Sequence, residues 1–333
     1  MKTGTGVREI SLGGATIASS NMTSAFYWNP ALLSETTRIT GRIMHSEEFG
    51  GALNLDHISF AMPVKNGLKL GIGFIRSSVD NIPLVKESSL IDIGNDGIGP
   101  NDDDYRGPDT DGSEGNGKLD KNERLDFGKI GKFGSSESAF FISAAKKYNK
   151  KIAIGLSVKT LYKDLHRNGA FGLGLDAGLT YYLSDKIKLA AQLTDFTTTF
   201  LFWDDGKKET ITPELRLGGS YLYKIEIFDI SVEPMLGINI SAEGKQNNSL
   251  LESSLTNIKL NTGLEVIINA KLALRAGRDE NEGMHLGLGL NTSIININYG
   301  LSLGGAYKSL GNSHQVGLIF DIPKVMSLVK NHI

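Results

Sequence analysis

The chain has 333 residues, 40% of them hydrophobic, a formal net charge of −2 and no cysteine. A disulfide framework, a thiolate nucleophile and a cysteine–zinc site are excluded, and the near-neutral balance gives nucleic acid no electrostatic partner. No apolar run approaches the ~20 residues of a membrane-spanning helix, which leaves β-barrels open because their strands are apolar on one face only.

The first residues, MKTGTGVREISLGG, lack the apolar core of a secretory signal, so the chain is either cytosolic or follows a cleaved leader. Residues 13–33, GGATIASSNMTSAFYWNPALL, have no alternation of their own. Gly13 and Gly14 allow a bend where a Cβ would clash. Asn29-Pro30 marks a helix start, with Asn29 as N-cap and Pro30 at the first helical position. Phe26, Tyr27 and Trp28 form an aromatic cluster just before it. The segment reads as a compact plug with the remaining chain closed around it. The other reading is an N-terminal arm packed on a soluble β-domain.

From about Thr37 onward, short segments alternate apolar and polar residues with a period of two, the signature of strands with one apolar face. Four weaker segments come first, at 38–48, 56–63, 68–77 and 138–148. The clearest lies at 151–163, where Ile152, Ile154, Leu156 and Val158 oppose Ala153, Gly155, Ser157 and Lys159. Nine more follow up to Ile322, giving about fourteen strands. The opposite faces are rich in Gly, Ser, Asn and Thr, with isolated charges at Lys159, Lys188, Arg216, Lys259, Glu265 and Arg275. Such faces suit a crowded, partly wet lumen rather than a solvated sheet surface. Glycine at 40 residues, about 12% against an average near 7%, fits the same crowding. Tyr148, Tyr162, Tyr181, Tyr182, Tyr221, Tyr223 and Phe196 sit near strand ends, where an interfacial girdle would place them; ordinary β-formers at sheet ends would look the same.

The connections alternate in length. Short ones lie at 63–67, 148–151, 184–186, 224–226, 269–271 and 291–293. Longer ones lie at 49–55, 78–137, 164–168, 197–210, 241–257, 279–283 and 304–312. Outer-membrane barrels have this asymmetry, with tight periplasmic turns and longer outer loops. The fold expected is therefore all-β: a single antiparallel transmembrane β-barrel of about fourteen strands over 37–322, with residues 1–36 as a plug, or hatch, inside the lumen. Residues 323–333 form a periplasmic tail, and 78–137 a long acidic extracellular loop. The location expected is the bacterial outer membrane, in contact with its lipids, with a leader encoded upstream of Lys2.

The long loop holds eleven acids and four bases between Asp92 and Asp126. Asp109, Asp111, Asn116, Asp120 and Glu123 are hard oxygen donors among glycines, the ligand type that Ca²⁺ takes. Counted as an EF-hand, Gly117 falls on the turn and Glu123 on the twelfth position, but the first position is Gly112. A calcium-ordered loop and a solvated acidic loop both remain open. No catalytic motif stands out: His45, His57, His166, His285, His314 and His332 are scattered. His285, with Asp279 and Arg275 near it on a lumen face, reads as a hydrogen-bonded network rather than an acid–base site, although spacing does not exclude a Ser–His pair.

The opening VREISLGGATIASSNMTSAFYWNPALLS resembles the PorV/PorQ family of bacterial outer-membrane proteins. Gly13, Gly14, Ala15, Ala25, Tyr27, Trp28, Asn29, Pro30 and Ala31 occupy that family's Gly-Gly-Ala and Ala-x-Tyr-Trp-Asn-Pro-Ala places. Leu32 departs from it, where the family often has glycine. The Asn-Pro-Ala element also occurs in FadL-like long-chain fatty-acid transporters, which resemble that family as fourteen-stranded barrels with an N-terminal hatch. The resemblance implies a non-enzymatic protein with one of two roles. A PorV-type protein handles secreted cargo proteins for the type IX secretion machine. A FadL-type protein moves hydrophobic small molecules through a lateral opening. The Tyr27-Trp28 pair favours the secretion-associated role. A transport path would have to draw its apolar lining from plug residues such as Ile17, Met22 and Phe26, because the lumen-facing wall is mostly polar.

Overall fold

The computed structural model describes residues 4–19, 21–242, 251–252, 257–281, 283–304 and 311–330. They form two compact units, one of 1–78 with 136–333 and one of 79–135.

The first unit is an all-β barrel. Among the described residues its wall has fourteen antiparallel strands. They are β1 (Thr40–Glu48), β2 (Leu53–Pro63), β3 (Lys69–Leu84), β4 (Gly131–Lys147), β5 (Ile152–Leu165), β6 (Asn168–Tyr182) and β7 (Ile187–Thr194). The series continues with β8 (Glu214–Tyr221), β9 (Ile230–Ser241), β10 (Asn257–Ile268), β11 (Leu272–Arg278), β12 (Met284–Asn291), β13 (Ile295–Leu303) and β14 (Ser313–Asp321). Each pairs with the next. The barrel closes where β1 meets β14, from Thr40 opposite Asp321 to Glu47 opposite His314. An even strand number leaves the start of β1 and the end of β14 on the short-turn side.

The period of two sets which face meets lipid. Leu173, Leu217 and Leu288 point outward, Leu288 at 53% exposure, as do most of their alternating partners. Lys159, Glu265 and Arg275 point inward and are buried. Lys188, Arg216 and Lys259 are half-buried on the same face. Of the expected girdle, Tyr148, Tyr162, Tyr221, Tyr223 and Phe196 are exposed at strand ends. Tyr182 is a correction: its hydroxyl donates to Glu35 at 3.0 Å. Its strand position, next to outward-facing Tyr181, turns it to the lumen.

Two connections differ from expectation. The stretch at 164–168 is a tight turn, because β5 and β6 pair as far as Leu165 opposite Asn168. The stretch at 197–210 holds a hairpin of Thr199–Trp203 against Lys208–Ile211, whose first strand pairs with the outer half of β6, Phe200 opposite Leu173. The segment after β14 is a helix, Ile322–Lys330, where the sequence reading placed only a tail.

The plug folds as α1 (Val7–Ser11), α2 (Ala25–Trp28) and a 3₁₀ turn (Pro30–Glu35). Asn29 caps that turn by accepting from Ala31 N at 3.1 Å, with Pro30 at the first position. Gly13 and Gly14 both take positive φ, +63° and +72°, turning the chain back after α1. Here the glycine-rich wall has its use. A Cβ at Gly277 would fall on the backbone of Leu12 and Gly13, and one at Gly155 on the backbone of Pro30 and Ala31. Main chain of the plug thus lies directly against main chain of the wall.

The second unit takes in the ends of β3 after Ser78 and of β4 before Ser136, and it contains a small two-stranded pairing, Leu90–Ile91 against Arg124–Leu125. The loop between is folded by its own acids accepting backbone N–H groups. Asp92 takes Gly115 and Gly117 at 2.6 and 2.7 Å, and Glu123 takes Gly94 and Asp120 at 2.8 and 2.7 Å.

Candidate binding site

The lumen face is polar because it hydrogen-bonds the plug. Asn29 Nδ2 donates to Ile17 O at 3.0 Å and to Thr180 Oγ1 at 3.2 Å. Gln192 Nε2 donates to Tyr27 O at 2.9 Å, and Ser59 Oγ to Thr23 O at 2.6 Å. Trp28 Nε1 donates to Thr5 O at 2.7 Å, which folds the start of the plug over its end.

Two buried ion-pair systems join α1 to the wall. Glu9 meets Arg42 of β1 at 2.9 Å, with both side chains essentially inaccessible. Glu9 also accepts from Asn21 N at 2.8 Å and Ser24 Oγ at 2.7 Å. Burial alone would raise its carboxyl, but Arg42, Arg8 and these hydrogen bonds outweigh that and hold it at about 2. Arg8 pairs with Glu265 at 2.5 Å, and Glu265 with Arg275 at 2.7 Å.

Above the plug, on the long-loop side, lies a cavity of ≈ 230 Å³. Its apolar lining is Tyr27, Ala139, Phe141, Leu161 and Ile211. It sits where the regular wall breaks. Strand β7 stops at Thr194, and Asp195 and Thr198 take positive φ, 51° and 58°, before the hairpin begins. Positive φ is uncommon for such residues and concentrates where local geometry serves a site. The break is held by Lys159, whose Nζ meets Asp176 at 2.8 Å and Asp195 at 2.9 Å. Thr199 Oγ1 also donates to Asp195, at 2.5 Å.

A second cavity of ≈ 80 Å³ lies beside it, and both are lined by Tyr27, Glu214 and Arg216. Arg216 pairs with Glu214 at 2.5 Å and lies 5.8 Å from the centre of the Tyr27 ring, within cation–π range. Every cation lining the larger cavity is therefore engaged: Lys159 and Arg216 as described, and Lys163 with Glu137 at 3.2 Å. Four carboxylates, Asp176, Asp195, Glu209 and Glu214, face those three cations.

Of the plug motif, Tyr27 lines both cavities, and Gly13, Gly14 and Trp28 line the smaller. Asn29 and Pro30 are structural. Ile17, Met22 and Phe26 do not form one path. Ile17 packs with Ala18 and Ala190, Met22 against Leu32 and Leu33, and Phe26 against Phe141, 4.9 Å between ring centres. Each seals plug to wall at a different place, because in a crowded lumen apolar plug residues fill gaps rather than leave a channel. The sequence places the cavity's charged wall residues Lys159 and Arg216 in the lumen, but not its apolar wall, Phe141 and Leu161, which lie on strands with exposed neighbours.

His285 does join a network. Its Nδ1 lies 2.8 Å from Ser302 Oγ and its Nε2 3.1 Å from Asp279 Oδ2, while Gln315 Nε2 donates to the same hydroxyl at 3.1 Å. Ser302 lies in register between His285 and Ser313 in the sheet, where strand N–H groups serve the ladder. The arrangement is a lumen network that links three strands through the Ser302 hydroxyl.

The five candidate calcium donors separate into two groups. Asp109 and Asp111 share the Ser113 hydroxyl at 2.9 and 2.6 Å. Asn116 donates to Asp120 at 2.7 Å, and Glu123 is occupied by backbone N–H groups. Hydrogen bonds from Asn95 and Ser113 hold the Asp111 carboxyl at about 2. Among the described residues no cluster of three or more His, Asp or Glu side chains is placed to hold a metal. Calcium in segment 92–126 stays a proposal from donor chemistry, which calorimetric titration tests: no heat on adding Ca²⁺ would retire it.

No protein-family model matches the sequence, and no curated protein matches it. Solved structures do. The Pseudomonas putida toluene transporter TodX is 13% identical with a TM-score of 0.53, covering 95% of this chain and 96% of that one. The monoaromatic hydrocarbon channel CymD is 13% identical with a TM-score of 0.55, covering 96% and 98%. A Pseudomonas aeruginosa FadL homologue is 9% identical with a TM-score of 0.52, covering 95% and 98%. At such identities the likeness establishes the fold, that of a FadL-like barrel. It lies on the FadL side of the resemblance noted in the plug and does not reach the PorV/PorQ assignment.

Proposed function

We propose that the protein is an outer-membrane channel for small, neutral, hydrophobic molecules. The observation that carries this is the cavity above the plug: apolar on one side, with every lining cation already paired. A fatty-acid carboxylate needs an available cation, and a site with more carboxylates than cations repels it. At ≈ 230 Å³ the cavity is below the ~300–1,000 Å³ of drug-sized ligand pockets, while an apolar cavity of about 150 Å³ holds benzene. A single-ring hydrocarbon or a molecule of similar bulk fits. The toluene and monoaromatic channels with the same fold support the reading.

The test is uptake by proteoliposomes, comparing toluene with a long-chain fatty acid. Wild type is expected to take up toluene and to leave the fatty acid outside. The Asp176→Asn/Asp195→Asn variant, which strips Lys159 of its partners, is expected to gain fatty-acid binding. Fatty-acid uptake by wild type equal to toluene uptake would overturn the proposal.

The secretion-associated reading rests on Tyr27-Trp28-Asn29-Pro30 in the plug and on the acidic unit 79–135 as a surface for cargo. Loss of surface-delivered protein on deleting that unit, with toluene uptake intact, would promote it.

A further inference from the structure

The short-turn rim of the barrel does not look like a surface left in water. Large apolar side chains stand at its turns: Ile227 at 90% exposure, Tyr148 at 77%, Phe228 at 66%, and Val64 and Leu183 at lower values. Exposed lysines alternate with them, at Lys65, Lys150, Lys151, Lys186, Lys224 and Lys271. Asp185, Glu226 and Asp229 share the rim and leave its balance positive. Isolated apolar residues on a surface need no explanation, but their recurrence at four consecutive turns, interleaved with cations, does.

The helix after β14, α3 (Ile322–Lys330), belongs to the same rim. Ile322, Val325, Met326 and Val329 are spaced i, i+3, i+4 and i+7, so they share one face. Lys324 and Ser327 occupy the other side with Leu328, and Lys330 flanks the apolar face beside Met326. Lys324 lies toward the barrel, its Nζ donating to Ser293 O, in a short turn, at 2.7 Å, while Ser327 is exposed. Of the apolar face, Met326 and Val329 are exposed, at 55% and 52%, while Ile322 and Val325 are half-buried. It follows directly on β14, along which the outward positions Val316, Leu318 and Phe320 lead from the lipid-facing belt to the helix.

We propose that this rim and α3 together form a docking surface for anionic phospholipid, with the apolar residues at the headgroup–acyl boundary and the lysines on the phosphates. Three observations select that occupant over a protein partner. The apolar face of α3 follows on from the wall that meets lipid, the rim is positive, and the apolar residues recur at four consecutive short turns, from β2–β3 to β8–β9, rather than forming one patch. An interfacial helix with lysines beside its apolar face has this composition, and lysines near a membrane surface attract anionic lipid.

The absence of cysteine makes a site-specific label simple. Full-length protein carrying Met326→Cys or Ser327→Cys, each labelled with an environment-sensitive fluorophore, is reconstituted into phosphatidylcholine vesicles with or without phosphatidylglycerol. The label at 326 is expected to be quenched by a lipid-borne quencher and shielded from aqueous iodide, and the label at 327 to show the reverse. In native mass spectrometry, wild type is expected to retain phosphatidylglycerol over phosphatidylcholine. Lys150→Gln/Lys151→Gln/Lys186→Gln/Lys271→Gln is expected to lose that preference by about tenfold or more, at about fivefold per lysine near the surface. Equal iodide access at 326 and 327 would overturn the proposal. So would a 326 label shielded from iodide but untouched by the lipid quencher, which would put protein on that face. Equal retention of the two lipids by wild type would remove the anionic component and with it the proposal.

Discussion

Glu9 shows what a single residue does in a plugged barrel. It is fully buried between Arg42 of the wall and Arg8 of its own helix, and removing one partner of such a pair typically costs about 3–5 kcal/mol because the other charge is left uncompensated. Its carboxyl is held below its ordinary value. A depressed carboxyl contributes stability that is present above the unfolded value of about 4.5 and lost as pH falls through about 2. The contribution is roughly 3 kcal/mol, from a shift of that size. Trp28, hydrogen-bonded within the plug, reports docking if Trp203 is first replaced by Phe. Its emission is expected to shift red between pH 4.5 and 2 in the parent and to be already shifted at neutral pH in Glu9→Gln. A parent emission constant down to pH 2 would show that the pair does not hold the plug.

Strands and plug meet through two different devices at the scale of elements. On the lipid side, alternation alone suffices. Leu288 of β12 stands outward between Leu274 and Tyr299 on its neighbours, and Leu288→Arg is expected to destabilise the barrel by about 2–4 kcal/mol if the site is near the membrane midplane. The measurement is urea unfolding in phospholipid vesicles. A loss below about 1 kcal/mol would place Leu288 at an interface instead. On the lumen side, contact is main chain to main chain and depends on missing side chains, as at Gly277 against Leu12 and Gly13. The same element scale explains the cavity: β7 ends at Thr194, and a hairpin takes over its pairing with β6.

As a whole molecule, the chain consists of a plugged barrel with its own core and a separate compact unit. The barrel's buried clusters, such as Val7, Ile10, Phe26, Met44, Leu55, Ile75, Ala139 and Phe141, lie outside residues 79–135. Replacing 79–135 by a short turn is therefore expected to leave a barrel that still resists denaturation in detergent, judged by its migration on unheated gels. A deleted chain that migrates as unfolded would show that the unit is needed for folding.

How much of this was legible beforehand follows from the range of the forces involved. Strand number, facing, the plug, its Asn29-Pro30 cap and its glycine bend were readable because period-two burial, capping and positive φ are local and act within a few residues. The lumen charges Lys159, Arg216, Glu265 and Arg275 were readable as inward for the same reason. Their partners were not. That Lys159 is neutralised by Asp176 and Asp195, that Arg216 lies over Tyr27, and that Ile17, Met22 and Phe26 seal three different gaps depend on which strands stand opposite which part of the plug. Those contacts join residues up to nearly two hundred positions apart, as Tyr27 and Arg216 are, and sequence spacing carries no distance between them. The wall break at Asp195 likewise needed the pairing of a hairpin with β6. The sequence by itself thus determined a membrane barrel with something folded inside it. Only the tertiary structure decided that its cavity is small and has no unpaired cation, since ion pairing and cavity volume arise from closure of the wall around the plug.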